Sequence, residues 1–327
     1  MLTVTLYTRE GCQLCQRAEE DLGLLQDKIP HKLVLIDIEK ENINEYIEKI
    51  PVVEVGPYQI KAPFDLKTLE MTLAAARDRI IQLEKINQEA YQKRIERGRK
   101  ISFGDRFFNW LSRRYMIVFN GFVAIYLGLA VLAPVLFAGG NINSAKLIYM
   151  VYGKMCHQLS YRSWFLFGEQ AAYPREIAGL DQLISYEEAT GFDPFDIESA
   201  FKFIGNEVMG YKMALCQRDI AIYGGILLFG LIFSLTGRRI PSLPIWAWFA
   251  LGILPVALDG LSQVISQLPW GLVPMRESTP FLRTLSGGLF GFTTAWFGYP
   301  IVEESMADTR KLITVKIKAS EAGISET

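Results

Sequence analysis

The chain has 327 residues, enough for two domains, and its 34 Lys and Arg against 35 Asp and Glu leave it near neutral, with a formal charge of −1. Half of its residues are apolar at an ordinary charged content of 21%, a high share for a soluble protein. The balance gives little support to nucleic-acid binding, because the one basic stretch, residues 93–100, is explained first by membrane topology.

Leu2–Thr8 alternates like a strand, and residues 13–26 carry helical apolar spacing at Ala18, Leu22 and Leu25. Between them stands Cys12-Gln13-Leu14-Cys15. A cysteine that follows a strand and opens a helix lies where backbone N–H groups and the positive end of the helix dipole favour thiolate. Cys12 is therefore the candidate nucleophile, and Cys15, one turn on, the resolving thiol. Half of a zinc site is the competing reading, but zinc takes four ligands and only His31 lies nearby. Residues 32–38 read as a second strand, and residues 50–55 and 58–60 as a hairpin turned by Gly56-Pro57, with a helix beginning near Asp65. The order is β-α-β-(α)-β-β-α. The first residues are strand-like rather than a charged start followed by an apolar core, so this module is expected to stay in the cytoplasm.

That order, the cysteine pair after the first strand and Ile50-Pro51-Val52 ahead of the third resemble the thioredoxin fold, most closely the glutaredoxin-like family DUF836, over residues 1–75. The resemblance implies that Pro51 is cis and faces the thiols. It also implies dithiol exchange with a partner protein or a small thiol. The chain departs from glutaredoxins in having Gln13-Leu14 between the cysteines and in lacking Gly-Gly or a following Asp after the hairpin, so glutathione binding is not carried over.

From Asp65 to about Lys100 the sequence is charged and repeats Leu69, Leu73, Ile80, Leu83 and Ile86 at helical spacing, as a stalk over residues 76–114 that continues the module's last helix. It either packs back on its own domain, the preferred reading, or forms a coiled-coil dimer. Apolar stretches follow at 116–138, 220–235, 245–258 and 285–302, giving at least four spans. Residues 146–167 are a fifth candidate, but Lys154, His157 and Arg162 make an interfacial helix an equal reading. Arg113 and Arg114, Arg238 and Arg239, and Arg310 and Lys311 fall on one side if there are four spans. Residues 139–218 then face outward and residues 306–327 form a cytoplasmic tail. The fold class expected is an α/β thioredoxin-like domain followed by an all-α transmembrane bundle over 115–305, integral to the cytoplasmic membrane.

A second constellation lies in and beside the spans: Cys156-His157-Gln158, Arg162-Ser163, Cys216-Gln217-Arg218-Asp219 ahead of Tyr223-Gly224-Gly225, Asp259 and Gln263, Arg276-Glu277-Ser278-Thr279, and Arg283-Thr284. Ionisable groups at membrane depth are costly and normally face a bundle interior or an aqueous cavity. These motifs resemble the bacterial membrane-protein family DUF2085 over residues 115–305, which implies no known activity; residues 169–212 are insertion-like. Three chemistries compete for Cys156 and Cys216, a disulfide, a metal site with His157, Asp219 or Asp259, and a redox-active pair serving a quinone or a partner protein, with buried free thiols as the remaining reading. His157 reads equally as a structural residue and as a functional base, and Arg218 with Asp219 and Asp259 as an ion pair that fixes packing. Trp164, Trp246, Trp248, Trp270 and Trp296 are expected at the membrane interfaces.

Two functions follow. One is a membrane-anchored thiol-disulfide oxidoreductase or redox sensor using Cys12, Cys15 and Pro51. The other is a transporter or small-molecule-binding membrane protein whose outer site draws on Cys156, His157, Arg162, Cys216, Arg218, Asp219, Asp259, Gln263, Glu277 and Arg283, with the glutaredoxin-like domain as regulator. A hydrolase of lipid-linked substrates would need a motif that the sequence lacks.

Overall fold

The computed structural model describes residues 2–41, 43–86, 100–193, 195–268 and 274–324. Two compact units emerge, one from Met1–Tyr115 with Glu303–Thr327 and the other from Met116–Val302.

The first unit is built on a four-stranded sheet in the order β2-β1-β3-β4, from β1 (Leu2–Thr8), β2 (His31–Asp37), β3 (Val52–Val55) and β4 (Tyr58–Lys61). β1 and β2 are parallel and joined by α1 (Gln13–Leu25); β3 is antiparallel to β1, with Tyr7 opposite Val52. On one sheet face Val4, Leu6, Val53 and Val55 pack against Ala18 and Leu22 of α1 and against Leu69, Leu73 and Ala76 of α2 (Leu66–Ile86). Leu69 and Leu73 of the charged helix thus pack back on their own domain, whereas Leu83 is exposed, and residues 87–99 of the expected stalk lie outside the described residues.

The opposite face presents Tyr7, Val34, Ile36 and Val52. Between β2 and β3 the chain makes only a 3₁₀ turn, Asn44–Tyr46, in place of a full covering helix. That face is completed by Val315 and Ala319 on the last helix, which runs Pro280–Ile324. The expected tail is therefore helical and joins the core of the N-terminal module. Polar contacts reinforce it: Lys318 Nζ donates to Leu35 O at 3.0 Å, Lys316 pairs with Asp105 at 2.7 Å, and the buried Arg310 donates to Ser112 O at 2.7 Å.

Among the described residues three helices are long and apolar enough to cross a membrane: α3 (Phe103–Ala138), then Gln217–Leu235 and Ile245–Ser266, the last with a π-helical turn at Phe249–Ile253. Large apolar side chains on them point outward, Phe122 at 70% exposure and Leu235 at 87%, as lipid contact requires. The expected fourth span, residues 285–302, is helical but is not among the three. Its glycines explain why. A Cβ on Gly287 would lie 2.7 Å from Arg218 O, and one on Gly291 would overlap the Ile222 carbonyl. The helix trades apolar side chains for close backbone approach, which lowers hydropathy while favouring helix packing in lipid. The fifth candidate is not a span. α4 (Ile142–Tyr152) covers 11 residues, about 16 Å, and is followed by a 3₁₀ turn and β5 (Ser163–Leu166).

The insertion-like stretch folds with its flanks into a small subdomain. β5, β6 (Gly205–Asn206) and β7 (Gly210–Cys216) form a sheet in the order β5-β7-β6, backed by the short helices α5 (Tyr186–Thr190) and α6 (Ile197–Lys202). Leu159, Tyr161, Phe165, Tyr173, Tyr186, Ala200 and Met209 are its core. Gly210, with φ +72°, turns where a Cβ would overlap the Leu166 carbonyl. Beyond β7 follow α7 (Gln217–Leu235), α8 (Ile245–Ser266) and α9 (Pro280–Ile324). Two of the tryptophans expected at the interfaces tie elements together: Trp248 Nε1 donates to Thr294 Oγ1 and Trp296 Nε1 to Pro241 O, both at 3.0 Å. Trp246 is 73% exposed, and Trp270 lies outside the described residues.

Candidate functional site

β1 ends at Thr8, and the turn that leaves it uses Gly11 at φ +76° to bring Cys12 to the mouth of α1. Cys12 is the N-cap: its Sγ accepts from Cys15 N at 3.2 Å and its carbonyl from Gln16 N at 3.2 Å. Cys15, one turn inward, is buried, and the two sulfurs are joined as a disulfide. The Ile50–Pro51 peptide is cis. Because Val52 pairs with Tyr7, Pro51 sits at the sheet end where β1 gives way to the cysteines. Cys12 opens onto a hollow shared with Arg9, Leu14, Ile47 and Ile50. Leu14, between the cysteines, is 60% exposed.

A polar cluster without a local signature in the chain lies on the sheet face below. Tyr7 and Tyr46 hydroxyls each donate to Glu54 at 2.9 Å, Gln59 Nε2 donates to Glu54 at 2.6 Å, and Lys311 of α9 pairs with Glu54 at 3.1 Å and also reaches Tyr46. Burial pushes the Glu54 carboxyl up, but the hydrogen bonds from Tyr7, Lys311 and Tyr46 outweigh it and hold the carboxyl below its ordinary value. Burial and the neighbouring carboxylate push the Tyr7 phenol upward. Tyr7 and Tyr46 read as plain core aromatics in sequence, so only their hydroxyl partners betray the cluster.

In the second unit the expected constellation divides into three. The first centres on Glu277, whose carboxylate accepts from Arg162 at 2.9 and 3.2 Å, from Gln263 at 2.9 Å and from Arg283, with Arg175 at 3.8 Å. The second centres on Asp259, held by Arg218, by Arg276 at 3.0 Å and by the Ser278 hydroxyl at 2.7 Å. Both carboxylates are buried. The third is Cys156, Cys216 and Asp219, whose ligating atoms lie within 4.8 Å of one another. Both thiols are free, so no disulfide joins them. Their mutual hydrogen bond, with burial adding to it, pushes the Cys156 thiol up, and the same bond holds Cys216 below its ordinary value against the effect of burial.

His157 joins none of these groups. It is exposed and lines a separate hollow with Leu159, Ile197 and Phe201, because Gln158 takes a left-handed conformation (φ 44°) and turns inward to donate to Ala214 O at 2.8 Å. Arg175 and Lys212 were not anticipated. Lys212 is buried and donates to Gln158 O at 2.6 Å and Phe201 O at 2.7 Å, tying β7 to the end of α6.

Comparison with known proteins agrees with this division. Residues 3–96 match the sequence model of the glutaredoxin-like domain DUF836, and residues 207–297 that of the predicted membrane protein family DUF2085. The first match runs past the 75 residues expected; the second is narrower than the 115–305 expected. The uncharacterized protein MJ1492 of Methanocaldococcus jannaschii is 26% identical over 203 residues, covering 59% of this chain and 96% of that protein. No solved structure matches. The chain thus joins a thioredoxin-like module to helices that integrate into a membrane.

Proposed function

We propose, for a chain that joins a glutaredoxin-like module to membrane-spanning helices, that it is a membrane-anchored thiol-disulfide oxidoreductase or redox sensor acting through Cys12 and Cys15. The placement of Cys12 carries the reading: it caps α1, is half-buried, and opens on a hollow beside Ile50 with Cys15 buried one turn behind. The Cys12 thiolate attacks one sulfur of a partner disulfide, forming a mixed disulfide and releasing the other sulfur as a thiolate that takes up a proton. Cys15 loses its proton and attacks Cys12 Sγ. The partner leaves as a dithiol and the Cys12–Cys15 disulfide remains, carrying the two electrons' worth of oxidation. A small thiol or a partner dithiol returns it to the reduced state. Exposed Leu14 gives an apolar contact for the partner chain.

The basic clusters flanking the spans support a cytoplasmic module, with residues 139–218 outside and the glycine-lined helix serving as the fourth crossing. Labelling with a membrane-impermeant thiol reagent, on intact cells and on lysed membranes before and after reduction, tests both points. Cys12 and Cys15 should react only after lysis and reduction, with a midpoint potential of about −270 to −200 mV, and Cys15→Ser should accumulate a mixed disulfide through Cys12. Labelling of Cys12 from outside overturns the topology, and the absence of any exchangeable disulfide overturns the activity.

The buried Asp259 and Glu277, with an adjacent hollow lined by Ile177, Ser262, Met275 and Arg276, favour a second reading as a small-molecule-binding or transport protein. Cys12→Ser separates the two. An oxidoreductase loses its activity, whereas a transporter keeps its flux and loses only its redox response.

A further inference from the structure

We propose that Cys156, Cys216 and Asp219 form a binding site for a thiophilic cation with a filled d shell, such as zinc(II), with one coordination position left to an exogenous ligand. The three ligating atoms come from separate backbone positions: Cys156 follows α4, Cys216 ends β7 and Asp219 lies in the first turn of α7. Cys216 and Asp219 are three residues apart at a helix start, so both face the same side. The atoms lie within 4.8 Å of one another. Around a tetrahedral zinc ion, with bonds of about 2.0–2.3 Å, ligand atoms sit about 3.3–3.8 Å apart. Small side-chain rotations close that gap without moving the backbone.

The surroundings suit anionic sulfur. Cys216 N donates to Cys156 Sγ at 3.4 Å, and Asp219 N donates to Cys216 Sγ at 3.5 Å. Such N–H donors orient a thiolate and hold its charge, as outer-shell partners do in metal sites. The positive end of the 19-residue α7 is directed at the same spot. Of the nearby guanidinium groups, Arg218 is paired with Asp259 and Arg283 with Glu277. Softness of the sulfur pair selects zinc or copper(I) over magnesium or calcium. Among the described residues no fourth His, Cys, Asp or Glu joins the group, His157 being turned to another hollow. Three protein ligands with a vacant fourth position is the pattern of zinc sites that bind water or substrate rather than purely structural ones.

The test uses full-length protein in detergent, reduced and stripped of metal, with Cys12→Ser and Cys15→Ser to silence the other cysteine pair. Cobalt(II) titration should give one equivalent bound, with the visible absorption of a tetrahedral ion and thiolate-to-cobalt charge transfer, both bleached by added zinc. Cys156→Ser and Cys216→Ser should each weaken binding by about 100-fold and reduce the charge-transfer band, while Asp219→Asn should weaken it about tenfold with the band retained. In the wild-type chain, whatever the folding of the variants, zinc should slow maleimide labelling of Cys156 and Cys216. A reduced protein without the cobalt spectrum, a spectrum that survives both serine substitutions, or thiols labelled equally fast with and without zinc would overturn the proposal. So would a Cys156–Cys216 disulfide that zinc does not prevent from forming.

Discussion

Removal of the Glu277 carboxylate should be among the most damaging single changes in the membrane unit. Its side chain is 2% exposed and that of Arg283 6%, while Arg162 is anchored by two parallel hydrogen bonds at 2.9 and 3.2 Å. Glu277→Ala leaves three guanidinium groups, those of Arg162, Arg175 and Arg283, facing a hole, the last two nearly buried, and deprives Gln263 of its acceptor. Breaking a buried pair in this way costs about 3–5 kcal/mol. For a unit of this size each kcal/mol moves the midpoint by about 2–4 °C, so a loss of about 6–20 °C is expected. The assay is thermal unfolding of the detergent-solubilised full chain carrying Cys12→Ser and Cys15→Ser, followed by a thiol-reactive dye that reports the exposure of Cys156 and Cys216. Glu277→Gln combined with Arg283→Met removes both charges and should recover part of the loss, as coupling in a double-mutant cycle. A shift below about 2 °C for Glu277→Ala would show that solvent already satisfies the arginines and would refute the buried hub.

Glu54 is held below the ordinary carboxylate value, so its contribution to the N-terminal module is complete above pH about 4.3 and disappears as the pH falls through the lowered folded value. Hydrogen exchange at residues 311–319 should therefore accelerate below about pH 4, and Glu54→Gln should abolish that dependence. Lys212→Met should destabilise the outer subdomain by about 3 kcal/mol, since the Gln158 and Phe201 carbonyls lose their donor; limited proteolysis between β5 and β7 reads the effect. Gly291→Val forces α9 away from the Ile222 carbonyl and should cost about 1–3 kcal/mol, whereas Gly298→Ala, with nothing within 4 Å of the added Cβ, should leave the midpoint unchanged. Both are measured by thermal unfolding in detergent.

The N-terminal strands and first helix were legible because each is a short run with one period, and Cys12 announces its position by standing between two of them. Residues 311–320 were not. They read as part of a cytoplasmic tail, and their partners Tyr46 and Val52 are more than 250 residues earlier, beyond the reach of any local pattern. The polar residues of the membrane half were visible as residues misplaced in apolar surroundings, but their pairings were not. Nothing in the sequence assigns Arg162 to Glu277, 115 residues away, or Arg218 to Asp259 rather than to its neighbour Asp219. His157 misleads for the opposite reason: adjacency to Cys156 suggests a shared ligand, and the left-handed turn at Gln158 separates them. The helix at residues 285–302 stands apart from the three most apolar ones because its glycines and threonines serve close packing as well as transfer into lipid.

The glutaredoxin-like module is discontinuous: Val315, Ala319 and Lys311 finish a sheet face whose strands are made near the start of the chain. On the ribosome, the strands and the cysteine helix emerge long before α9 does, and the face carrying Tyr7, Val34, Ile36 and Val52 waits uncovered while the intervening helices enter the membrane. Maturation of the redox module is thereby tied to successful insertion of the membrane half, because only a chain whose last helix returns to the first unit acquires a complete core. A chain stalled partway presents a sticky, half-finished sheet, a surface that quality-control proteases and chaperones recognise.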